Sequence, residues 1–243
     1  MVISCIKLMM RIIVYQKEKH SHGREKVETF IEKNCGLSKK RKIKGKIFTH
    51  HHEVFFELRE LIKIRKLEIP FALNHVDAHA DLGMGDISWA YIMGDLLHKP
   101  PLERSEPKQG GYDGLGFTNH LSFAIANRWI KTLNFIINEQ WHDDIPRILF
   151  LAEDDIPSMI RFGSYNFTIQ LKKYANAQID DLSCRCKCEP IGYEPELPLN
   201  IIPCDKFKLH DVCDFVFLSQ SPGYTSKETD VFIDIISEYI ELY

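Results

Sequence analysis

The chain has 243 residues, 44% hydrophobic and 27% charged, so it is long enough to bury the core of one large α/β domain. Its formal net charge of −3 gives no general attraction to nucleic acid. No apolar run approaches the length of a membrane span, and seven cysteines without a secretion signal favour reduced thiols. We therefore expect a cytoplasmic protein that binds neither nucleic acid nor membrane, with a homo-oligomer left open.

The pattern of the chain indicates one domain over residues 1–243, because no repeat, long linker or low-complexity tract divides it. If Met9 or Met10 is the natural start, residues 1–9 are a disordered leader. Residues 99–117 are rich in proline and glycine and are expected to form a long loop, of the kind that often serves as a lid.

Hydrophobic periodicity predicts alternating strands and helices along the chain. The predicted strands lie at 11–15, 43–49, 69–76, 133–138, 147–152, 167–171 and 213–218. The predicted helices lie at 24–34, 53–66, 87–98, 118–132 and 227–242. This alternation favours a three-layer α/β/α sandwich with a mainly parallel sheet.

Residues 75–81 read His-Val-Asp-Ala-His-Ala-Asp, follow an apolar strand pattern and open into a glycine loop. In an extended strand, Asp77, His79 and Asp81 would point to one face. Two carboxylates at such a short distance repel each other unless a cation or a proton neutralises one of them. A ligand set of carboxylate oxygens and an imidazole nitrogen suits Mn²⁺, Fe²⁺ or Zn²⁺. The alternative is a turn whose carboxylates accept backbone hydrogen bonds. Because α/β proteins keep their sites at the carboxyl edge of the sheet, the metal site is the favoured interpretation.

Three adjacent histidines, His50, His51 and His52, stand where a predicted strand gives way to a helix. Adjacent side chains cannot all face one point, so one is expected to ligate a metal or donate to substrate while the others orient ligands or lie in solvent. A metal-dependent hydrolase needs a metal that lowers the pKa of bound water and a nearby group that moves protons. This set of residues can supply both, with His50 or His52 as the proton carrier.

The run Asp77-Ala78-His79-Ala80-Asp81 resembles the Asp-Ala-His-x-Asp signature of the arginase and ureohydrolase superfamily, whose fold the histone deacetylases share. Over most of residues 24–243, the chain is similar to an uncharacterised bacterial family related to arginases. The stretches that carry this similarity are His50-His51 before Glu53-Val54-Phe55, Pro70-Phe71 to Gly85, Asn119 to Trp129, Tyr193 to Glu196, and Leu218 to Tyr224.

The resemblance implies an arginase/deacetylase-like fold and a hydrolase that attacks a C–N bond of a small guanidinium or amide substrate through a metal-bound hydroxide. By the same resemblance, the metal ligands are His51, Asp77, His79 and Asp81. Orientation of a cationic substrate group is assigned to Glu194 or Glu196, against the alternative of two exposed residues in a proline-rich loop. The expected substrate contacts are Asn119, Ser219, Ser221 and Tyr224.

The chain departs from the arginase pattern in one respect. Arginases also use an Asp-x-Asp pair from another strand, whereas Ser219-Gln220-Ser221 has this spacing without charge. Fewer carboxylates hold a second cation less well, so one ion is expected rather than two, with Mn²⁺ ahead of Fe²⁺ or Zn²⁺. The competing hypothesis is a catalytically inactive arginase-like protein that binds a ligand or a partner.

Overall fold

The structure, a computed structural model, describes residues 6–10, 20–83, 85–152, 156–175, 189–220 and 230–243. Its helices are α1 (His20–Thr29), α2 (Glu53–Lys63), α3 (Ser88–Gly94), α4 (His120–Ala126) and α5 (Asp230–Ser237). A π-helical turn, Phe30–Asn34, extends α1, and 3-10 turns lie at Leu96–His98, Pro101–Glu103 and Arg147–Leu149. Within these ranges no helix has both the length and the apolar character to cross a bilayer.

Most of the strands belong to one large sheet. The strands are β1 (Ile6–Met10), β2 (Ile43–Phe48), β3 (Phe71–Val76), β4 (Ile130–Ile137), β5 (Tyr165–Ile169), β6 (Lys172–Lys173), β7 (Gly192–Tyr193), β8 (Leu197–Pro203), β9 (Cys213–Ser219) and β10 (Ile240–Leu242). Eight of them pair in the order β10-β2-β9-β1-β3-β4-β8-β5, and β6 pairs with β7 separately. In the large sheet every pair is parallel except β5 with β8. The predicted mainly parallel α/β architecture is therefore confirmed.

Apolar side chains cover both faces of the large sheet, because neighbours along a strand point to opposite sides. On one face, Leu73 and Phe217 belong to a buried cluster with residues of α2, α3 and α4. On the other face, Val76 and Val216 cluster with Ile235 of α5 and with residues of α1. Helices thus flank the sheet on both sides, which is the arrangement that buries a parallel sheet.

The N-terminal segment corrects one expectation. Ile6–Met10 form β1, which pairs with both β3 and β9 inside the sheet, so the leader expected over residues 1–9 is wrong for residues 6–9. The strand predicted at 11–15 lies outside the described residues. At the other end, the helix predicted at 227–242 is shorter, because the chain returns to the sheet as β10.

The helix predicted at 118–132 is also shorter than expected. It ends at Ala126, and Arg128 then turns the chain with a left-handed φ of 59°. Trp129 is buried, and β4 begins at Ile130. An unbroken apolar run is compatible with a buried helix or with a buried strand, and periodicity alone does not separate them.

A row of asparagines crosses the sheet in register. Asn74, Asn134 and Asn200 lie side by side on β3, β4 and β8. The side-chain amide of Asn134 donates to Asn74 Oδ1, and that of Asn200 donates to Asn134 Oδ1, both at 2.8 Å. Because Asn74 is only 1% exposed, this bond satisfies an oxygen that would be costly to bury alone.

Candidate metal centre

Three segments of the chain meet at the carboxyl edge of the sheet. Residues 50–52 follow β2, and residues 77–83 follow β3. The segment that enters α4 joins the second of these, since the backbone N–H of Leu121 donates to the Asp81 carbonyl at 3.2 Å. This is the edge at which parallel α/β sheets place their binding sites.

Two overlapping groups of buried side chains offer ligands for a cation. One consists of His51, Asp81 and His120, and the other of His75, Asp77 and Asp81, with the ligand atoms of each group within 4.8 Å of one another. Asp81 serves both groups: Oδ1 lies 3.7 Å from His51 Nε2, and Oδ2 lies 3.5 Å from His75 Nε2. This mixture of carboxylate oxygens and imidazole nitrogens suits Mn²⁺, Fe²⁺ or Zn²⁺.

The backbone of the acidic run is not extended. β3 ends at Val76, and Asp81 takes a left-handed φ of 53°, so the expectation that Asp77, His79 and Asp81 share one face of a strand is wrong. Instead, Asp77 Oδ1 accepts the backbone N–H groups of Ala78 and His79 at 2.6 and 3.2 Å. Such bonds are typical of an Asp that closes a turn. From the sequence alone, a turn closed by backbone hydrogen bonds and a metal site are alternatives. In the structure, Asp77 closes such a turn and also belongs to a candidate ligand group.

The ring of His79 is engaged outside both ligand groups. Its Nδ1 lies 2.7 Å from Asp144 Oδ2, and the other oxygen of that carboxylate accepts the backbone N–H of Ala80 at 2.9 Å. The ring also stacks on His142, with 4.9 Å between centroids and 7° between planes. The structure therefore brings Asp77 and Asp81 together without His79, and metal ligation by His79 stays a prediction.

His120 is the residue whose surroundings most favour a bound cation. It is 1% exposed, and neither ring nitrogen makes a full hydrogen bond within the described part of the chain. Burial lowers the pKa of this imidazole well below its ordinary 6.5, and the rings of His51, His75 and His52 lower it further, against a small opposing effect of the Phe117 carbonyl. The ring is thus neutral near pH 7. A buried polar group in this state costs free energy, which a cation on the nitrogen lone pair would offset.

Sequence patterns pointed to neither His120 nor His75. Each stands in a mostly apolar strand or helix, where a lone histidine is most often part of the core. His75 is buried and stacks on Phe135 with 5.5 Å between centroids, and its Nε2 donates to the His79 carbonyl at 2.9 Å. The one available signal is position, since His75 is the penultimate residue of β3 and His120 is the first residue of α4, both at the edge that carries the acidic run.

The three adjacent histidines diverge, as expected from their spacing. His51 is 3% exposed and joins Asp81, whereas the rings of His50 and His52 pack edge-on against Phe117 at 5.1 and 4.4 Å. In the described ranges, the buried Nδ1 atoms of His50 and His52 have no hydrogen-bond partner. Burial lowers the pKa of the His52 ring. The assignment of either residue as the proton carrier stays a prediction.

Glu194 is held by two arginines. Its oxygens lie 3.0 Å from Arg104 Nη2 and 2.6 Å from Arg128 Nε, and the residue is 8% exposed. Burial acts to raise the pKa of this carboxyl, but the hydrogen bonds from Arg128 and Arg104 outweigh it and lower the pKa below the ordinary 4.5. Glu196 is exposed. The arginines account for the burial of Glu194, and contact of either glutamate with a cationic substrate remains a prediction.

The Asn119 side chain organises the loop that precedes α4. Its Oδ1 accepts the backbone N–H of Gly116 at 2.8 Å, and its Nδ2 donates to the Gly114 carbonyl at 2.9 Å. A second bond from Nδ2 reaches Asp86 at 3.2 Å. These bonds give Asn119 a structural role beside His120, and its predicted contact with substrate is untested.

Ser219 ends β9 at the same edge of the sheet. It is 5% exposed, and no described residue hydrogen-bonds its hydroxyl. A buried hydroxyl in this state is available to a bound molecule. Ser221 and Tyr224, the other two predicted substrate contacts on this segment, lie outside the described residues.

Comparison with known proteins assigns no family to this chain. No protein-family model, no curated protein and no solved structure matches it. Functional inference therefore depends on the geometry and chemistry of the site.

Proposed function

We propose that the chain is a metal-dependent hydrolase of arginase-like type that cleaves a C–N bond in a small guanidinium or amide substrate. The observation that carries the proposal is His120, a fully buried imidazole without a full hydrogen bond among the described residues, grouped with His51 and Asp81. The acidic run at residues 77–81 and the place of the site at the carboxyl edge of a parallel sheet support the comparison with arginases.

The charge of the site supports one divalent cation. Asp77 and Asp81 are 2% and 4% exposed, and two buried carboxylates in one group require a cation or a proton to neutralise them. Asp77 already accepts two backbone N–H groups, which offset part of its charge. Asp81 is therefore the central ligand, and one ion, Mn²⁺ before Fe²⁺ or Zn²⁺, suits a site with two carboxylates.

The residues around the ion divide the chemistry between them. When bound, the ion lowers the pKa of a bound water and so supplies a nucleophile at neutral pH. Asp81, His51 and His120 would hold it. His52 would accept a proton, because its lowered pKa keeps the ring neutral near pH 7. The Ser219 hydroxyl would orient the substrate at the end of β9.

The first test of the proposal is metal binding by the protein after all bound metal has been removed. We expect Mn²⁺ to raise the melting temperature, with about 2.7 kcal/mol of stabilisation at a concentration 100 times Kd. The variants Asp81→Asn and His120→Gln should lose this response, and the matched variant His142→Gln, at an exposed ring, should keep it. Release of ammonia or urea from a panel of guanidinium and amide compounds then tests hydrolysis. A chain that binds no divalent ion would overturn the proposal.

The second candidate is an inactive arginase-like protein that binds a ligand or partner. One observation favours it: Asp77 and Asp81 are the only carboxylates in the two ligand groups of the described residues, whereas arginases have an additional acidic pair. Tight binding of Mn²⁺ without hydrolysis of any compound in the panel would favour this second function.

A further inference from the structure

The main-chain carbonyl of Phe117 lies 2.6 Å from His51 Nε2. Because a carbonyl oxygen only accepts hydrogen bonds, Nε2 must carry the ring hydrogen in this arrangement. The same nitrogen lies 3.7 Å from Oδ1 of Asp81, a residue that forms one candidate cation group with His51 and His120. A ring nitrogen that carries a hydrogen has no lone pair for a metal, so His51 Nε2 can serve either the carbonyl or a cation, and not both.

Hydrogen bonds of the residues next to Phe117 link it to the surrounding loop, so that a movement of the Phe117 carbonyl would also move its neighbours. The next residue, Thr118, accepts the backbone N–H of Gly83 at 2.6 Å, and its hydroxyl donates to Asp86 at 2.6 Å. Asn119 then fixes the loop through its bonds to residues 114 and 116. Residues 114–119 are therefore expected to respond as one unit when Phe117 moves.

The same short segment also carries a candidate ligand. His120 stands three residues after Phe117 and shares the cation group with His51. The two rings lie 5.4 Å apart between centroids. A cation that pulls on both rings would therefore act on the segment at two points, the Phe117 carbonyl and the His120 side chain.

We propose that the Phe117 carbonyl latches the cation-free site, and that a cation held by His51, Asp81 and His120 displaces it, so that occupancy sets the conformation of residues 114–119. The inference rests on the cation site of the proposed function and requires no hydrolytic activity. On displacement, the ring hydrogen passes from Nε2 to Nδ1 through water, and Nε2 offers its lone pair to the cation.

Release of the latch would also change the surroundings of the predicted proton carriers. The Phe117 ring packs against His50 and His52, so a turn of the Phe117 backbone alters both contacts. Loading of the site and arrangement of these two histidines would thus occur together, before any substrate binds.

The position of the ring hydrogen on His51 tests the latch directly. Full-length protein labelled with ¹⁵N-histidine is stripped of metal, and long-range ¹H–¹⁵N spectra are recorded before and after addition of Zn²⁺, which is diamagnetic. The His51 signals are assigned with the variant His51→Gln. We expect the hydrogen on Nε2 in the stripped protein and on Nδ1 in the zinc-bound protein. A hydrogen that stays on Nε2 with zinc bound would overturn the inference.

Hydrogen exchange of the same samples tests the response of the loop. Backbone amides of residues 114–119 should change their exchange rates by about threefold or more on zinc binding, while those of α5 should not change. Asp81→Asn should abolish the response. Bound zinc with unchanged exchange at 114–119 would overturn the latch and leave the cation site standing. A failure to bind any divalent ion would instead overturn the cation site, and the latch with it.

Discussion

Nδ1 of His79 lies 2.7 Å from Oδ2 of Asp144, so the imidazole that stands between two candidate ligands in the sequence is paired with a carboxylate from another segment. Because of this pair, the histidine of the Asp-Ala-His-x-Asp run does not join the two aspartates in a candidate metal group, although the sequence pattern predicts that it does. The buried cation groups recruit His75 and His120 in addition to His51, and leave His79 at the surface with 38% of its side chain exposed.

The first prediction distinguishes these histidines by metal affinity. We expect His79→Ala to bind Mn²⁺ within about threefold of the wild-type Kd. We expect His120→Ala to weaken binding by about tenfold or more, because the loss of even an outer-shell partner of a metal ligand costs about 10–100-fold in affinity. Isothermal titration calorimetry measures both. A loss of binding in His79→Ala as large as that in His120→Ala would show that His79 ligates the ion.

The second prediction concerns the glycine loop after Asp81. Gly83 has a φ of +95°, and a Cβ there would meet Ser88 Oγ at 2.7 Å and Asp86 Oδ1 at 3.1 Å. We expect Gly83→Ala to destabilise the protein by about 2–3 kcal/mol, because the cost of the strained backbone and the cost of steric crowding add to each other. Urea denaturation measures the free energy of unfolding.

Gly85 supplies the matched control for this prediction. It has a φ of +85°, and a Cβ there would meet nothing within 4 Å. Gly85→Ala should therefore cost only the backbone strain, about 1 kcal/mol. Equal losses in the two variants would contradict the crowding around Gly83.

The third prediction follows from the ion pairs of Glu194. Arg104 is 3% exposed, so Glu194→Gln leaves a buried charge without its partner and should cost about 3 kcal/mol at pH 7. Because the pKa of Glu194 in the folded protein is lowered from 4.5, its contribution is fully present above pH 4.5 and is lost as the pH falls through the folded pKa.

Urea denaturation at several pH values between 7 and 3 measures this dependence. The difference in unfolding free energy between wild type and Glu194→Gln should shrink as the pH falls below 4.5. Glu196→Gln, two residues away and exposed, should match wild type at every pH. A difference that persists at the acid end would show that the amide disturbs packing rather than charge.

Buried parallel strands were the most predictable part of the fold. β9 was recognisable because Asp214 is the only charged residue in an apolar run, and the strand spans Cys213–Ser219. β8 was missed, since it contains Pro198 and Pro203, and prolines argue against a strand. Pro198 is exposed next to the antiparallel β5, where the sheet tolerates a residue that donates no hydrogen bond.

The candidate site was predictable only in part, for a similar physical reason. The sequence prediction and the structure both group Asp77 with Asp81, but the strand ends at Val76, and the left-handed φ of Asp81 breaks the alternation that would have included His79. His120 depends on a tertiary contact between α4 and the acidic run, which no local pattern encodes. The sequence thus predicted that the site lies at the carboxyl edge of the sheet. Which histidines join the aspartates there depends on long-range packing.

The linked amides of Asn74, Asn134 and Asn200 have a consequence for how the chain finds its correct alignment. β3, β4 and β8 are otherwise largely apolar, so an alignment error among them would expose few other polar groups to the core. A slip of β4 by one residue would turn Asn134 to the opposite face of the sheet and would break both amide hydrogen bonds. The row of asparagines thus favours the native register of these three strands, because a misaligned intermediate would bury amide groups without their hydrogen bonds.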